Sequence, residues 1–403
     1  MKLTVYKIVE KPLGKLCVMT NGSTADQSKE ITDFPITRIE TISSGKIDKR
    51  KVNYVEFSQK EIENYKLDVG DILFSHINSF ERVGHSAIVV ENDLPIYHGM
   101  NLLRIKPNSE IICPEYLFLF LKTNHAKSFY EEFAQRAINQ ASINQNTLKE
   151  LRVLYPENKT DQQHIASQII SKLEKVEQMR QAALQQKEAV EALQGALLRE
   201  VFPFKEGDEL PKGWKWEKLE KIFEEVKNQV QPYEEEFKTL PFVGLENVVS
   251  HTREYTDEEY NPPASTCFKF DETNILYGKL RPYLNKVFLP SNKGKSSMEL
   301  IPLKTKNNYS REFLAAVLQS EAVIGDTVKF STGGRMPRAD LKKLKKLEIA
   351  IPSDVNLCKK LGLVVSNKIK EFIELNKEAK KQLEAIEALP AAILREVFEF
   401  KTN

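Results

Sequence analysis

Cysteine is scarce in this chain. Cys17, Cys113, Cys267 and Cys358 lie far apart, and no two form a C-x-x-C pair. That spacing argues against both a disulfide framework and a zinc site, and leaves buried thiols as the reading. Histidine adds little: His76, His85 and His98 share one stretch but lack the i, i+4 spacing and the neighbouring Cys or acidic ligands of a metal site. Nowhere do about twenty apolar residues run together, as a membrane span requires, and Met1-Lys2-Leu3-Thr4-Val5-Tyr6-Lys7 holds no apolar signal core, so a cytoplasmic protein is expected. Net charge is nearly absent as well. At +2 over 403 residues, the overall field neither demands nor excludes nucleic acid, and only the distribution of charge can decide.

What is present is enough apolar surface for globular cores, 41% hydrophobic against 29% charged residues, in a chain too long for one ordinary core. It also repeats itself. Glu188-Ala-Val-Glu-Ala-Leu-Gln-Gly-Ala-Leu-Leu-Arg-Glu-Val-Phe-Pro-Phe-Lys205 recurs 196 residues later as Glu384-Ala-Ile-Glu-Ala-Leu-Pro-Ala-Ala-Ile-Leu-Arg-Glu-Val-Phe-Glu-Phe-Lys401, with 13 of 18 positions identical. The same shift carries Leu148, Leu151 and Pro156 onto Leu344, Leu347 and Pro352. Such a repeat sets the architecture before any single element is considered.

Each copy carries an amphipathic stripe at intervals of mostly three, four or seven, the signature of a long helix or coiled coil. In the first copy the stripe is Ile165, Ile169, Leu173, Val176, Ala183, Val190, Leu193 and Leu197; in the second it is Leu361, Ile369, Phe372, Ala379, Leu383, Ile386, Ile393 and Val397. Pro156 and Pro352 bound these helices upstream and Pro203 ends the first, while Pro390 is expected to kink or interrupt the second. About forty residues at ~1.5 Å each make a rod of roughly 60 Å, more than one small domain covers. The expected arrangement is an antiparallel pair with a globular module at each end, related by an approximate twofold axis, the alternative being that each helix packs on its own module.

The stretches before the helices read as mixed α/β modules. Short β-branched and aromatic runs such as Phe34-Pro-Ile-Thr-Arg-Ile-Glu40, Asp71-Ile-Leu-Phe-Ser75 and Ser86-Ala-Ile-Val-Val90 predict strands, with a helix over residues 115–132. Leu240-Pro-Phe-Val-Gly-Leu-Glu246, Asn274-Ile-Leu-Tyr277 and Lys286-Val-Phe-Leu289 take those roles in the second half, with a helix over residues 311–321. The order of elements matches. The resulting division is 1–156, a first module; 157–205, a first long helix; 206–355, a second module; and 356–403, a second long helix.

Leu210-Pro-Lys-Gly-Trp214 opening a module, Gly70-Asp-Ile-Leu-Phe-Ser75, and Asn274-Ile-Leu-Tyr-Gly-Lys-Leu-Arg-Pro-Tyr283 are similar to the target recognition domains of the specificity subunits of Type I restriction-modification systems. Leu148 to Pro156 followed by Asp161-Gln162-Gln163 resembles the junction between such a domain and its spacer helix. The first module lacks the Leu-Pro-x-Gly-Trp opening, and Leu357-Cys358 stands where Asp161-Gln162 stands in the first half. The resemblance implies a non-catalytic subunit that reads a split, asymmetric DNA target, binds two modification (methyltransferase) subunits and recruits restriction subunits. It also implies that S-adenosylmethionine, ATP and Mg2+ are used only in those partners.

Phosphates are neutralised by Lys and Arg, whereas base edges are read by side chains in the grooves. In the second module Lys279, Arg281 and Lys286 cluster with Tyr283, and Lys329, Arg335 and Arg338 flank Ser331-Thr332-Gly-Gly334. Lys342, Lys343, Lys345 and Lys346 continue the basic run, either as a solvated helix face or as phosphate contacts. The first module offers an amide-rich loop, Gln135, Arg136, Asn139, Gln140, Ser142, Asn144, Gln145 and Asn146, and a polar turn of Ser75, His76, Asn78, Ser79 and Arg82. Asn and Gln bond adenine bidentately and Arg bonds guanine.

An enzyme reading finds little support. Asn261-Pro-Pro-Ala264 is similar to the Asn-Pro-Pro-aromatic motif of adenine methyltransferases, but alanine replaces the stacking aromatic and no glycine-rich strand-to-helix turn accompanies it. No P-loop and no nuclease-like set of carboxylates and lysine occurs, so no catalytic, cofactor-binding or metal-binding residue is assigned. Two other readings stay open: a coiled-coil structural or oligomerisation protein with protein-binding modules, and the recognition arm of a related split-site restriction-modification enzyme.

Overall fold

The structure, a computed structural model, describes residues 6–137, 140–256 and 265–398. Asn139 and Asn261-Pro-Pro-Ala264 lie outside the described residues. The chain divides into two units, one taking the residues up to 181 together with those from 384 onward, the other residues 182–383. Each unit therefore holds one module and a part of each long helix.

In the first unit a four-stranded antiparallel sheet has the order Cys17–Asn21, Leu103–Pro107, Ile72–Phe74, Ser86–Ile88. Successive side chains of a strand face opposite sides, and Ile72–Phe74 uses both. Ile72 and Phe74 enter the main core beside Tyr116 and Phe120, while Leu73 joins a second cluster with Ile42, Leu67, Val89 and Ile96. All three are 0% exposed, which explains why this strand reads as a continuous apolar run and not as an alternation. A separate ladder pairs Ile8–Pro12 with Arg152–Pro156, so the module closes just before the helix begins at Lys159.

The second unit repeats the plan. Its corresponding sheet runs Phe223–Glu225, Leu300–Thr305, Ile275–Gly278, Val287–Phe288, and the closing ladder pairs Trp214–Lys218 with Glu348–Pro352. Ile275 and Tyr277 enter the main core and Leu276 the smaller cluster, as their counterparts do in the first unit. A further four-stranded sheet, in the order Gln229–Val230, Cys267–Phe270, Gly294–Ser296, Phe242–Val243, includes one parallel pair. Mixed α/β modules are thus built twice on one strand order.

Several sequence expectations need correction. The run 34–40 forms a strand only at Pro35–Ile36 before turning into a 3-10 helix at Ile39–Ile42. The helix expected over 115–132 is two helices, Pro114–Phe120 and Asn124–Phe133. They break where Thr123 caps the second, its Oγ accepting from the Ala126 N–H at 3.3 Å. The helix expected over 311–321 ends at Leu318, and a second helix, Glu321–Lys329, follows it. In both units the paired helices press a buried face onto the sheet, and a single periodic stripe conceals the turn between them.

The two long helices run over Lys159–Val201 (43 residues) and Val355–Phe398 (44 residues). Pro390 does not interrupt the second. Proline there denies the carbonyl four residues earlier its donor, but Ile386, Leu394 and Val397 stay buried around it, and full burial of such side chains contributes roughly 1.5–3 kcal/mol each. Within the first unit the helices pair antiparallel: Lys172 meets Glu396 at 3.9 Å and Arg180 meets Glu387 at 3.6 Å, while Ile165, Ala166 and Ile169 share a core with Leu394, Val397 and Phe398. Within the second unit Leu198 and Phe202 share a core with Cys358, Val365 and Ile369. There Gln194 donates to the His251 carbonyl, and Lys377 pairs with Glu254 at 3.1 Å, so the loop at 251–254 is tied to both helices.

The stripe named from the sequence is mostly inward. Ile169, Val176, Ala183, Val190, Ile369, Ala379 and Ile386 are buried, and Leu173, Leu197, Phe372, Leu383 and Ile393 are half-buried. Leu193 is not: it is 43% exposed. A straight helix drifts by about 20° per heptad, so a stripe that steps by sevens from Ile169 to Val190 moves on one residue at its end, to Leu198. The second helix shows the same step, with Leu394 more buried than Ile393. No helix among the described residues is long and apolar enough to cross a membrane.

Candidate nucleic-acid interface

In the first unit the two polar segments singled out from the sequence, sixty residues apart, are brought together by a small antiparallel sheet. Ile77–Asn78 pairs with Gln140–Ser142, which pairs with Gln135–Ala137. The turn is internally braced: Ser75 is buried and accepts from Asn78 Nδ2 at 3.0 Å, and Asn78 Oδ1 accepts from the Ser79 N–H at 2.9 Å. The His76 carbonyl accepts from the Ile143 N–H at 2.9 Å. Burial holds the His76 imidazole below the usual histidine range, and its Nδ1 has no hydrogen-bond partner among the described residues. Ser75, Asn78 and Arg82 line a cleft of 390 Å³ whose wall also carries Lys29, Arg38, Arg50 and Lys51, with Glu40 paired to Arg38 at 3.4 Å.

Those wall cations were not selected from the sequence. Lys49-Arg50-Lys51 is the densest basic run of the module, which is a visible signal, but nothing in the sequence says that it folds opposite residues 75–82. Asp48 organises it by capping the Lys49–Lys51 turn and holding Arg50 Nε at 2.9 Å, and that hydrogen bond lowers the Asp48 carboxyl below its ordinary value. Of the amide-rich loop, Gln140 is exposed and Ser142 half-buried. Asn144 caps the following helix by accepting from the Asn146 N–H at 2.7 Å, and Gln145 donates to the Met19 carbonyl at 3.0 Å, so both serve the local backbone. Arg136 lies in the Gln135–Ala137 strand.

The second unit builds the same three-segment face. Leu280 bridges to Arg338, and Arg338 to Thr332, with Arg338 N–H donating to the Thr332 carbonyl at 2.8 Å. The Arg281 N–H donates to the Pro337 carbonyl at 2.7 Å, and the Ala339 N–H to the Lys279 carbonyl at 2.8 Å. The loop closes tightly because Gly333 takes φ +98° with the Met336 carbonyl 3.0 Å from where a Cβ would sit, a conformation that side chains oppose. Arg281 also has positive φ, +51°, and together with Tyr283, Thr332 and Arg335 it is exposed.

The cations here are not equivalent. Arg338 donates from Nε and Nη2 to Glu299 Oε1 at 3.0 and 2.9 Å, and Lys279 lies 3.8 Å from Glu299 Oε2. Lys329 pairs with Asp326 at 2.8 Å, and Ser331 donates to the Val328 carbonyl at 2.7 Å, both finishing the preceding helix. Lys286 turns inward, donating to the Leu245 carbonyl at 2.8 Å, where it ties two loops and does not face outward with Arg281. Of the lysine run, Lys345 pairs with Glu225 and Lys343 lies 5.6 Å over the Phe330 ring.

Two modules of one design, each closing on a long helix and each presenting a polar, cation-bearing face from two distant segments, define a protein of the paired-recognition-module class. The family model for the Type I restriction modification DNA specificity domain matches residues 7–187. The MjaX type I restriction enzyme specificity subunit of Methanocaldococcus jannaschii is 31% identical over 388 residues, which cover 91% of this chain and 87% of that protein. The EcoKI specificity subunit of Escherichia coli is 25% identical over 143 residues, covering 35% of this chain and 31% of that one. The fold matches a chain from a structure of the type I R-M system concerned with complex assembly and conformational transition (16% identity, 96% of this chain and 97% of that chain, TM-score 0.72). It also matches the HsdS subunit of Thermoanaerobacter tengcongensis (18% identity, 99% of each chain, TM-score 0.57). The chain belongs to the Type I restriction-modification specificity subunit family.

Proposed function

We propose that the chain reads a bipartite, asymmetric DNA target, one half with each module, while holding modification and restriction subunits that carry out methylation and cleavage. The observation that carries this reading is the face built twice on one backbone plan with different side chains. Ser142 pairs with Ile77 and Gln135 in the first unit, where Arg338 bridges Leu280 and Thr332 in the second. One plan with different readers suits a target whose halves differ in sequence. The cations beside each face supply the phosphate contacts that any duplex binding needs. On this reading the protein acts in the cytoplasm and has no catalytic residue of its own, and S-adenosylmethionine, ATP and Mg2+ serve the partner subunits.

The test is an exchange of residues 1–156 for the corresponding module of another family member, followed by mapping of methylated adenines in cells that carry the modification subunits. One half of the methylated sequence should change and the other persist. A change in both halves, or none, defeats the proposal. Binding through protein-recognition modules instead would show little dependence on salt, whereas phosphate neutralisation makes DNA affinity fall steeply as salt rises.

A further inference from the structure

We infer that Arg338 reads a guanine in the half-target of the second unit and that Glu299 is the residue that positions it; the inference rests on the DNA-reading role proposed above. Glu299 is an oddity on this face. It lies 2.9 Å from Arg338 and 3.8 Å from Lys279, and a carboxylate on a surface that meets phosphates weakens binding unless it is committed to something else.

Its commitment is specific in geometry. Arg338 spends Nε and one Nη2 hydrogen on a single carboxylate oxygen, at 3.0 and 2.9 Å. A guanidinium has five N–H donors in one plane, so both Nη1 hydrogens and the second Nη2 hydrogen remain, and one from each nitrogen forms the edge that bonds guanine O6 and N7 together. The arginine side chain is 48% exposed and the glutamate 27%, so the guanidinium is the more open of the two to a ligand. The Arg338 backbone is fixed on both sides, exchanging hydrogen bonds with Thr332 at 2.8 and 3.1 Å, while its neighbours Pro337 and Ala339 bond to Arg281 and Lys279. The Glu299 carbonyl accepts from the Lys279 N–H at 2.9 Å, which places the acid as firmly.

Base reading needs a fixed plane at a fixed depth, whereas a phosphate contact needs only charge within reach. Arg281 and Arg335, exposed and without an ion pair among the described residues, fit the second role. Ser142 occupies the corresponding register in the first unit, so that half lacks this reader.

The experiment is selection from a randomised duplex library by the full chain in complex with its modification subunits, comparing the parent with Arg338→Lys and Glu299→Ala. The parent should enrich a guanine at one position of the half assigned to the second module by the exchange above. Arg338→Lys keeps the charge but not the paired donors, and should lose preference at that position by on the order of 5- to 100-fold, leaving the other positions unchanged. Glu299→Ala should lose preference at the same position while affinity for unrelated duplex rises, because a repelling charge is gone. A merely structural role would lower both together. A parent motif with no guanine in that half, or variant motifs identical to the parent's, overturns the inference alone; a parent that enriches no motif overturns the DNA-reading role with it.

Discussion

The side-chain oxygen of Gln162 accepts the backbone N–H of Cys113 at 2.7 Å, and its Nε2 donates to the carbonyls of Pro156 and Ile111 at 2.8 and 3.2 Å. One fully buried amide thus joins the last strand of the first module, a loop before its helices, and the start of the long helix. The position 196 residues on is Cys358, whose thiol donates to the Pro352 carbonyl at 3.3 Å and to no other group among the described residues. The departure between the halves noted in the sequence is therefore a difference in how firmly module and helix are joined within each unit.

Gln162→Ala leaves one buried N–H and two carbonyls without partners, at roughly 1–3 kcal/mol for each unsatisfied group, so a loss on the order of 3 kcal/mol is expected. Cys358→Ala forfeits one weak bond and a small apolar volume and should cost about 1 kcal/mol. Urea unfolding of the two variants measures the difference. Equal losses would contradict the unequal junctions.

Leu198→Ala and Leu193→Ala separate the buried stripe from the strict heptad. Leu198 is 4% exposed and Leu193 43% exposed. The first should cost about 2–5 kcal/mol and the second about 0.5 kcal/mol, read as shifts in the unfolding midpoint. A larger effect at Leu193 would place the helix contact one residue earlier than the structure does.

The wall of cations opposite the first module's turn is testable through salt. Each phosphate contact removed lowers the slope of log affinity against log salt by about 0.9. Replacing Arg50, Lys51 and Arg82 together by Ala should lower the slope by about 2–3 and weaken binding to all duplexes alike. Lys286→Met, by contrast, removes a hydrogen bond to the Leu245 carbonyl, and should reduce stability while leaving the slope in place. Binding titrations over a salt series decide both.

His98 makes the first unit sensitive to acid. Burial, chiefly, with the Arg104 and His76 charges adding to it, pushes its imidazole down to about 4, and Nε2 bonds the Leu102 carbonyl at 3.1 Å. A group of depressed pKa in the folded state takes up its proton first in the unfolded state. Its contribution is therefore complete above about pH 6.5 and is lost as pH falls from there toward 4, by up to about 1.4 kcal/mol per pH unit. His98→Gln, which can still donate to that carbonyl, should flatten the fall in unfolding free energy between pH 7 and 5. An unchanged slope would mean that other groups carry the dependence.

Much of the candidate site was legible in the sequence as segments and little of it as individual roles. The turn at 75–82 and the loop at 135–146 are both polar runs in otherwise apolar surroundings, which is why they stand out. Nothing local says that they pair, because strand pairing across sixty residues depends on how the whole sheet packs. Within them, Asn144 and Gln145 resemble base readers in type, yet their amides are used by nearby backbone groups. Lys286 likewise lies close to Arg281 in the sequence, but its ammonium group reaches the Leu245 carbonyl in a distant loop. Pro390 shows the converse: the local rule for proline is sound, yet the helix runs on through it with Ile386, Leu394 and Val397 buried around it.

The sequence by itself determined the doubled plan, the two long helices and the class of protein, because a shift of 196 residues and an apolar period are properties of the chain that no folding can hide. Tertiary structure alone decided which charges are available. Arg281, Lys286 and Arg338 are the same kind of charge in the sequence, and become an exposed cation, an inward tie and a buttressed donor only once Leu245 and Glu299, distant along the chain, are folded beside them. Charge is a property of a residue, but its use depends on the dielectric and the partners around it, and those are supplied by the fold.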